Sequence, residues 1–178
     1  MISGERTEAP PSLFTPFFEF AVELGGDSVA DILYTDGETR SVNSGQGGTV
    51  AAGVRVQPLP TVPASAFASL GYKFVFTPAE NSNVRLSRFP VEVGLRGAFG
   101  PGLWAEAAYV RHLSTTFHGD GFFADEDFES SNGATLAAGW KWIGLSYTTV
   151  RYTSERDGTE FDASNAGITL RATLGNGW

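Results

Sequence analysis

The chain has 178 residues, a formal net charge of −8 and no cysteine. The length suits a single domain, and the lack of Cys excludes disulfides, thiolate metal sites and Cys nucleophiles. The acidity leaves no basic face to neutralise phosphates, so no nucleic-acid partner is expected. The longest charge-free run, Val56 to Tyr72, is 17 residues and is broken by Pro58, Pro60 and Pro63, so it predicts two strands and a turn instead of a membrane helix. Met1 to Arg6 lacks a basic start followed by an apolar core, so no signal peptide is read and a mature form is expected.

Apolar and polar residues alternate along most of the chain, and a period of two means a strand whose faces meet different environments. Eight such stretches predict strands at about 14–25, 48–58, 64–77, 84–99, 102–117, 134–142, 144–154 and 164–176. The first runs into a long polar connection, Gly26 to Gly47. The Pro-rich turn Pro58 to Pro63 joins the second to the third. A polar stretch, Pro78 to Asn83, leads to the fourth, and Gly100-Pro101-Gly102 turns that strand into the fifth. His118 to Gly133 is long and acidic, Ile143-Gly144 is tight, and Glu155 to Asp162 is again long and polar. Short turns on one rim alternating with long loops on the other is the organisation of a bacterial outer-membrane barrel, which a soluble meander has no reason to adopt.

One parity carries Phe, Leu, Val, Ala, Tyr and Trp, as in Phe18, Phe20, Val22 and Leu24. The other carries Glu19, Glu23, Arg55, Lys73, Arg88, Glu92, Arg96, Glu106, Lys141 and Arg171, half of the 12 Lys and Arg with four Glu. With the charges outside, the chain would be a soluble, lipocalin-like barrel with an apolar interior. With the charges inside, the apolar face meets lipid. Two placements favour the second arrangement. Aromatics gather at both ends of the apolar face, Trp140 and Trp142 beside a tight turn and Tyr72, Phe74 and Phe76 towards a long loop, as interfacial girdles require. Arg85, Arg111 and Arg151 share the apolar parity at the long-loop ends of their strands, where they can reach lipid headgroups and phosphates. Eight strands enclose a lumen that side chains can fill, so the inward charges are expected to pair into a network that plugs it.

In these features the chain resembles the small eight-stranded outer-membrane proteins of the OmpA, OmpX and OmpW type. The resemblance implies an all-β, antiparallel up-and-down transmembrane barrel over 13–178, with short periplasmic turns, longer extracellular loops and a flexible segment at 1–12. The last strand is similar to the signal read by the barrel-assembly machinery, a terminal aromatic preceded by apolar residues at alternate positions. Trp178, Leu174, Ala172 and Leu170 carry that likeness, with Asn176 breaking the parity. The resemblance further implies a bacterial outer-membrane location, with lipid, lipopolysaccharide and the assembly machinery as partners, a monomeric state and no cofactor.

His112-Leu113-Ser114 puts a His and a Ser on one face of a regular strand, about 7 Å apart. It resembles the His-x-Ser motif of outer-membrane lipid A 3-O-deacylases, in which His is the base and Ser the nucleophile. That likeness implies an orienting acid, for which Glu126 or Glu129 is the candidate. Thr115 departs from the Asn usual in that family, and the pair shares the interior parity. Asp120, Asp125, Glu126, Asp127 and Glu129 lack EF-hand spacing, so no metal site is expected. The leading expectation is a non-enzymatic barrel, structural or surface-interacting through its loops. The alternatives are OmpW-like transport or binding of a small hydrophobic compound, and the deacylase.

Overall fold

The computed structural model describes residues 13–33, 39–59, 61–79, 82–121 and 123–174. The segment at 1–12 and the terminal Trp178 lie outside them. The elements are β1 Phe14–Leu24, β2 Ser28–Leu33, β3 Thr39–Asn43, β4 Gly47–Val56, β5 Ala64–Ala79, β6 Ser82–Ala98, β7 Leu103–His118, β8 Glu126–Phe128, β9 Ser131–Trp140, β10 Ile143–Thr153, β11 Glu160–Asp162 and β12 Asn165–Thr173. No helix occurs among the described residues.

Eight of these strands close an antiparallel barrel in the order β1-β4-β5-β6-β7-β9-β10-β12 and back to β1. Closure removes the sheet edge, so every wall strand has a neighbour on each side, which is what a lipid surrounding demands. The eight predicted strands are these eight. Two connections differ from expectation. β5 and β6 run on until Ala79 pairs with Ser82, so the stretch read as a longer loop is a hairpin. The turn between β9 and β10 is Lys141-Trp142 and not Ile143-Gly144, because Trp140 pairs with Ile143.

The pleat sorts the residues as the alternation requires. Leu95, Leu136 and Leu145 are 68%, 62% and 67% exposed on the outer wall, while Glu23, Lys73, Arg88, Arg96, Glu106 and Arg171 are buried inside. A continuous apolar exterior on this scale exceeds what a soluble monomer leaves in water, and most of the wall strands' charges lie on the opposite, inward face. The apolar surface is that of a membrane-spanning barrel.

The loop end is built differently. β2 and β3 form a hairpin outside the wall, β8 adds to β7 and β11 adds to β10. Ala30 and Val42 of the hairpin join Val75, Val84, Leu86, Phe117, Phe128, Val150, Tyr152 and Ala163 in one buried apolar cluster. Inward residues are therefore charged through the middle of the barrel and apolar near the long loops.

Candidate functional site

Register creates the mid-lumen network. Glu19 on β1 lies opposite Arg171 on β12, and Arg96 on β6 lies opposite Glu106 on β7. The Arg171 guanidinium donates from Nε to Glu19 Oε2 at 2.7 Å and from Nη1 to Glu106 Oε2 at 2.7 Å, so one cation holds two carboxylates from opposite parts of the wall. Its Nη2 also reaches both, and Arg96 Nη1 stands 3.7 Å from Glu106. Nearer the loops, Lys73 Nζ pairs with Glu23 Oε1 at 2.9 Å, and Thr49 donates to the same carboxylate at 2.6 Å.

Three aromatics hold this network from below. Arg171 Cζ lies 4.6 Å from the Phe17 ring centroid, 5.3 Å from that of Phe67 and 5.9 Å from that of Trp104. Arg96 stacks on Trp104 at 3.9 Å. A cation over a desolvated ring gains electrostatic attraction from the ring quadrupole. Room for such rings inside so narrow a barrel comes from glycines in the facing strands. A Cβ on Gly144 would lie 2.4 Å from Trp104 Cη2, and one on Gly53 would lie 2.4 Å from Phe17 Cζ. Gly144→Val should therefore expel Trp104 and cost about 1–3 kcal/mol, the range for overpacking. Urea midpoints with tryptophan fluorescence will show it, and an unchanged midpoint would rule this packing out.

Sequence reasoning missed Phe17, Phe67 and Trp104. Their signal was an aromatic on the charged parity with glycines on neighbouring strands. One predicted network member sits apart from it. Lys141 adopts φ 53° in the turn, and its Nζ lies over the Trp140 ring at 4.4 Å, so it leaves the lumen. The turn takes that side chain off the strand's alternation. Arg55 is half-buried near the short turns. Glu92 accepts a hydrogen bond from Thr135 at 3.4 Å. It borders a cavity of about 30 Å³, with His112, Thr148 and Thr169 among its walls. That is room for about two waters at roughly 10–15 Å³ each.

His112, Ser114 and Glu126 are not brought together. His112 Nδ1 is 2.6 Å from the Tyr152 hydroxyl, inside the barrel. β7 carries an extra residue between Leu113, which pairs with Phe89, and Thr116, which pairs with Ser87. At this bulge Ser114 takes φ 48° and is exposed on the outside, while Thr115 turns inward. A bulge shifts the alternation by one residue, which is why the shared parity of His112 and Ser114 fails. Glu126 accepts from Ser154 and pairs with Arg156 at 3.4 Å.

Outside, Arg85, Arg111 and Arg151 are exposed at the loop ends of their strands, and Arg151 meets Glu160 at 3.5 Å. Tyr72, Phe74 and Phe89 make one aromatic group, with Tyr72 5.6 Å from Phe74 and 5.2 Å from Phe89. Trp140 and Trp142 are exposed at the opposite rim. The Phe76 side chain lies outside the described residues.

In the acidic loop, Asp125 accepts from the Gly119 amide at 2.9 Å and meets His118 Nδ1 at 3.0 Å. First the amide and then the His hold its carboxyl below the ordinary 3.8. A depressed carboxylate stabilises the folded loop fully above its ordinary value, and that support is lost as pH falls through the lowered one. Amide exchange at Gly119 should therefore quicken, relative to the barrel strands, as pH drops below 3.8. Asp125→Asn should show the faster exchange already at neutral pH, and equal rates in the two proteins would refute the contact. Among the described residues no group of three or more His, Cys, Asp or Glu is placed to hold a metal.

No protein-family model and no curated protein matches the sequence. Among solved structures, the chain is similar to Ail, the attachment invasion locus protein of Yersinia pestis, at a TM-score of 0.44 and 9% identity, covering 89% of this chain and 97% of that one. The same protein in complex with the heparin analogue sucrose octasulfate gives a TM-score of 0.44 at 10% identity, with the same coverage. The closed strand order and the apolar outer wall of this chain carry the assignment of the fold themselves.

Proposed function

We propose that this chain is an integral barrel of the bacterial outer membrane whose lumen is closed and whose biological contacts are made at the long-loop rim, without catalysis. The observation that carries the reading is its inverted polarity, an apolar outer wall around inward charges that are largely paired. The closed lumen is supported by two obstructions in series. Arg171 with Phe17, Phe67 and Trp104 fills the middle, and the apolar cluster reached by Ala30 and Val42 fills the loop end.

Arg85, Arg111 and Arg151 then face headgroup phosphates, and Tyr72, Phe74, Trp140 and Trp142 take the two interfaces. The alternating apolar residues Ile168, Leu170 and Ala172 on β12 suit recognition by the barrel-assembly machinery. Ordered backbone contacts between the loops, such as Asp27 N to Asp162 O at 2.7 Å, give the rim a fixed surface to present to a monomer's partners.

Reconstitution tests this directly. The protein should need detergent for solubility, change mobility on a denaturing gel when heated, and give no steady conductance in a planar bilayer. A monodisperse species in plain buffer would sink the membrane reading. A reproducible single-channel step would sink the closed lumen alone.

A further inference from the structure

Lys73 and Arg88 are direct partners across β5 and β6, both pointing inward, with exposures of 2% and 0%. Like charges directly opposite each other repel. Lys73 has its answer in Glu23 at 2.9 Å. Arg88 has no comparable one: its Nη2 donates to the Gln46 carbonyl at 2.8 Å and its Cζ lies 5.7 Å from the Tyr152 ring centroid. Its Nε and Nη1 find no hydrogen-bond partner among the described residues.

A second unsatisfied group stands beside it. Arg88 lies opposite the bulge of β7, where Thr115 turns inward with an exposure of 1% and its hydroxyl likewise without a partner. Thr115 pairs with Phe128, whose ring is 5.8 Å from Tyr152, so guanidinium, hydroxyl and phenol share one level of the barrel. Leu86, Phe117 and Val150 enclose that level. Buried polar atoms are almost always satisfied by protein, water or an ion, and here three N–H or O–H donors are left over together.

Charge selects among the candidates. Of the inward carboxylates nearest these two cations, Glu23 is taken up by Lys73 and Thr49 and Glu92 accepts from Thr135, while Glu126 at the rim is engaged by Ser154 and Arg156, so none of them is bonded to Arg88. His112 is tied to Tyr152. The missing group is therefore an acceptor and an anion. Apolar walls would leave the extra oxygens of a phosphate or carboxylate unsatisfied, whereas a monatomic anion needs only the donors present.

We propose that Arg88 and Thr115 bind a small inorganic anion of the halide class inside the loop end of the barrel. Chloride is the probe. As chloride replaces gluconate at constant ionic strength, the thermal midpoint of the detergent-solubilised barrel should climb, because a ligand bound only by the folded state stabilises it by mass action. Arg88→Met should abolish the climb, and Thr115→Val, which keeps the side-chain shape, should flatten it. Should Arg88→Met fail to fold, Thr115→Val and the wild-type protein carry the test. Crystals grown in bromide should show an anomalous peak within hydrogen-bond reach of Arg88 Nε. Equal midpoints in chloride and gluconate, an unaltered slope in Thr115→Val, or a water in place of the bromide peak would each overturn the proposal.

Discussion

Arg171→Met is expected to destabilise the barrel by about 3–5 kcal/mol, the range for removing one partner of a buried ion pair. Glu19 and Glu106 both depend on this guanidinium. Without it, Glu19 loses its cation, and Glu106 keeps only Arg96 at 3.7 Å. The ring contacts to Phe17, Phe67 and Trp104 go as well. The loss comes from stranded carboxylates more than from the pair's own net attraction, so a second change that removes a stranded charge should restore stability. Arg171→Met with Glu19→Gln is accordingly expected to be more stable than Arg171→Met alone, a coupling that a double-mutant cycle isolates. Urea unfolding in lipid vesicles measures all four proteins. Strict additivity of the two substitutions would mean that Glu19 is not held by Arg171.

Leu136→Arg should cost about 2–4 kcal/mol, the depth-dependent penalty for a basic residue facing mid-bilayer hydrocarbon. Leu136 is 62% exposed and sits between Ala107 on β7 and Tyr147 on β10, midway along the wall. Leu103, 51% exposed and paired with Trp140 beside the short turn, lies near the interface, where the same substitution costs only about 0–1 kcal/mol. On a water-facing barrel both positions would stay within about 0.5 kcal/mol of wild type. A gradient between the two sites locates the hydrocarbon, and its absence would mean that the apolar wall does not face lipid.

The eight wall strands were legible because alternation is a local property that survives wherever the pleat is regular. Phe18, Val50, Leu70, Leu95, Leu136 and Leu145 face outward as their parity requires, and the partners Glu19 with Arg171 lie on the inward parity. Departures occur where the backbone leaves the pleat. Lys141 follows the parity of its strand on paper, but the two-residue turn takes it outside. Ser114 counts as inward until the bulge shifts the alternation by one. A bulge depends on pairing with β6, so no count along β7 alone reveals it.

The order of apolar and charged residues along the chain by itself determined a barrel of eight strands, its two faces and the lengths of most of its connections, since each follows from side-chain periodicity and turn-forming residues. The content of the lumen was decided by the tertiary structure. Only closure sets β12 against β1 and gives Arg171 two carboxylates at once. Only the fold of the long loop brings Ala30 and Val42 into one buried cluster with Phe117 and Tyr152. Those contacts join residues at least 65 positions apart, where local pattern carries no information and the register of a closed sheet carries all of it.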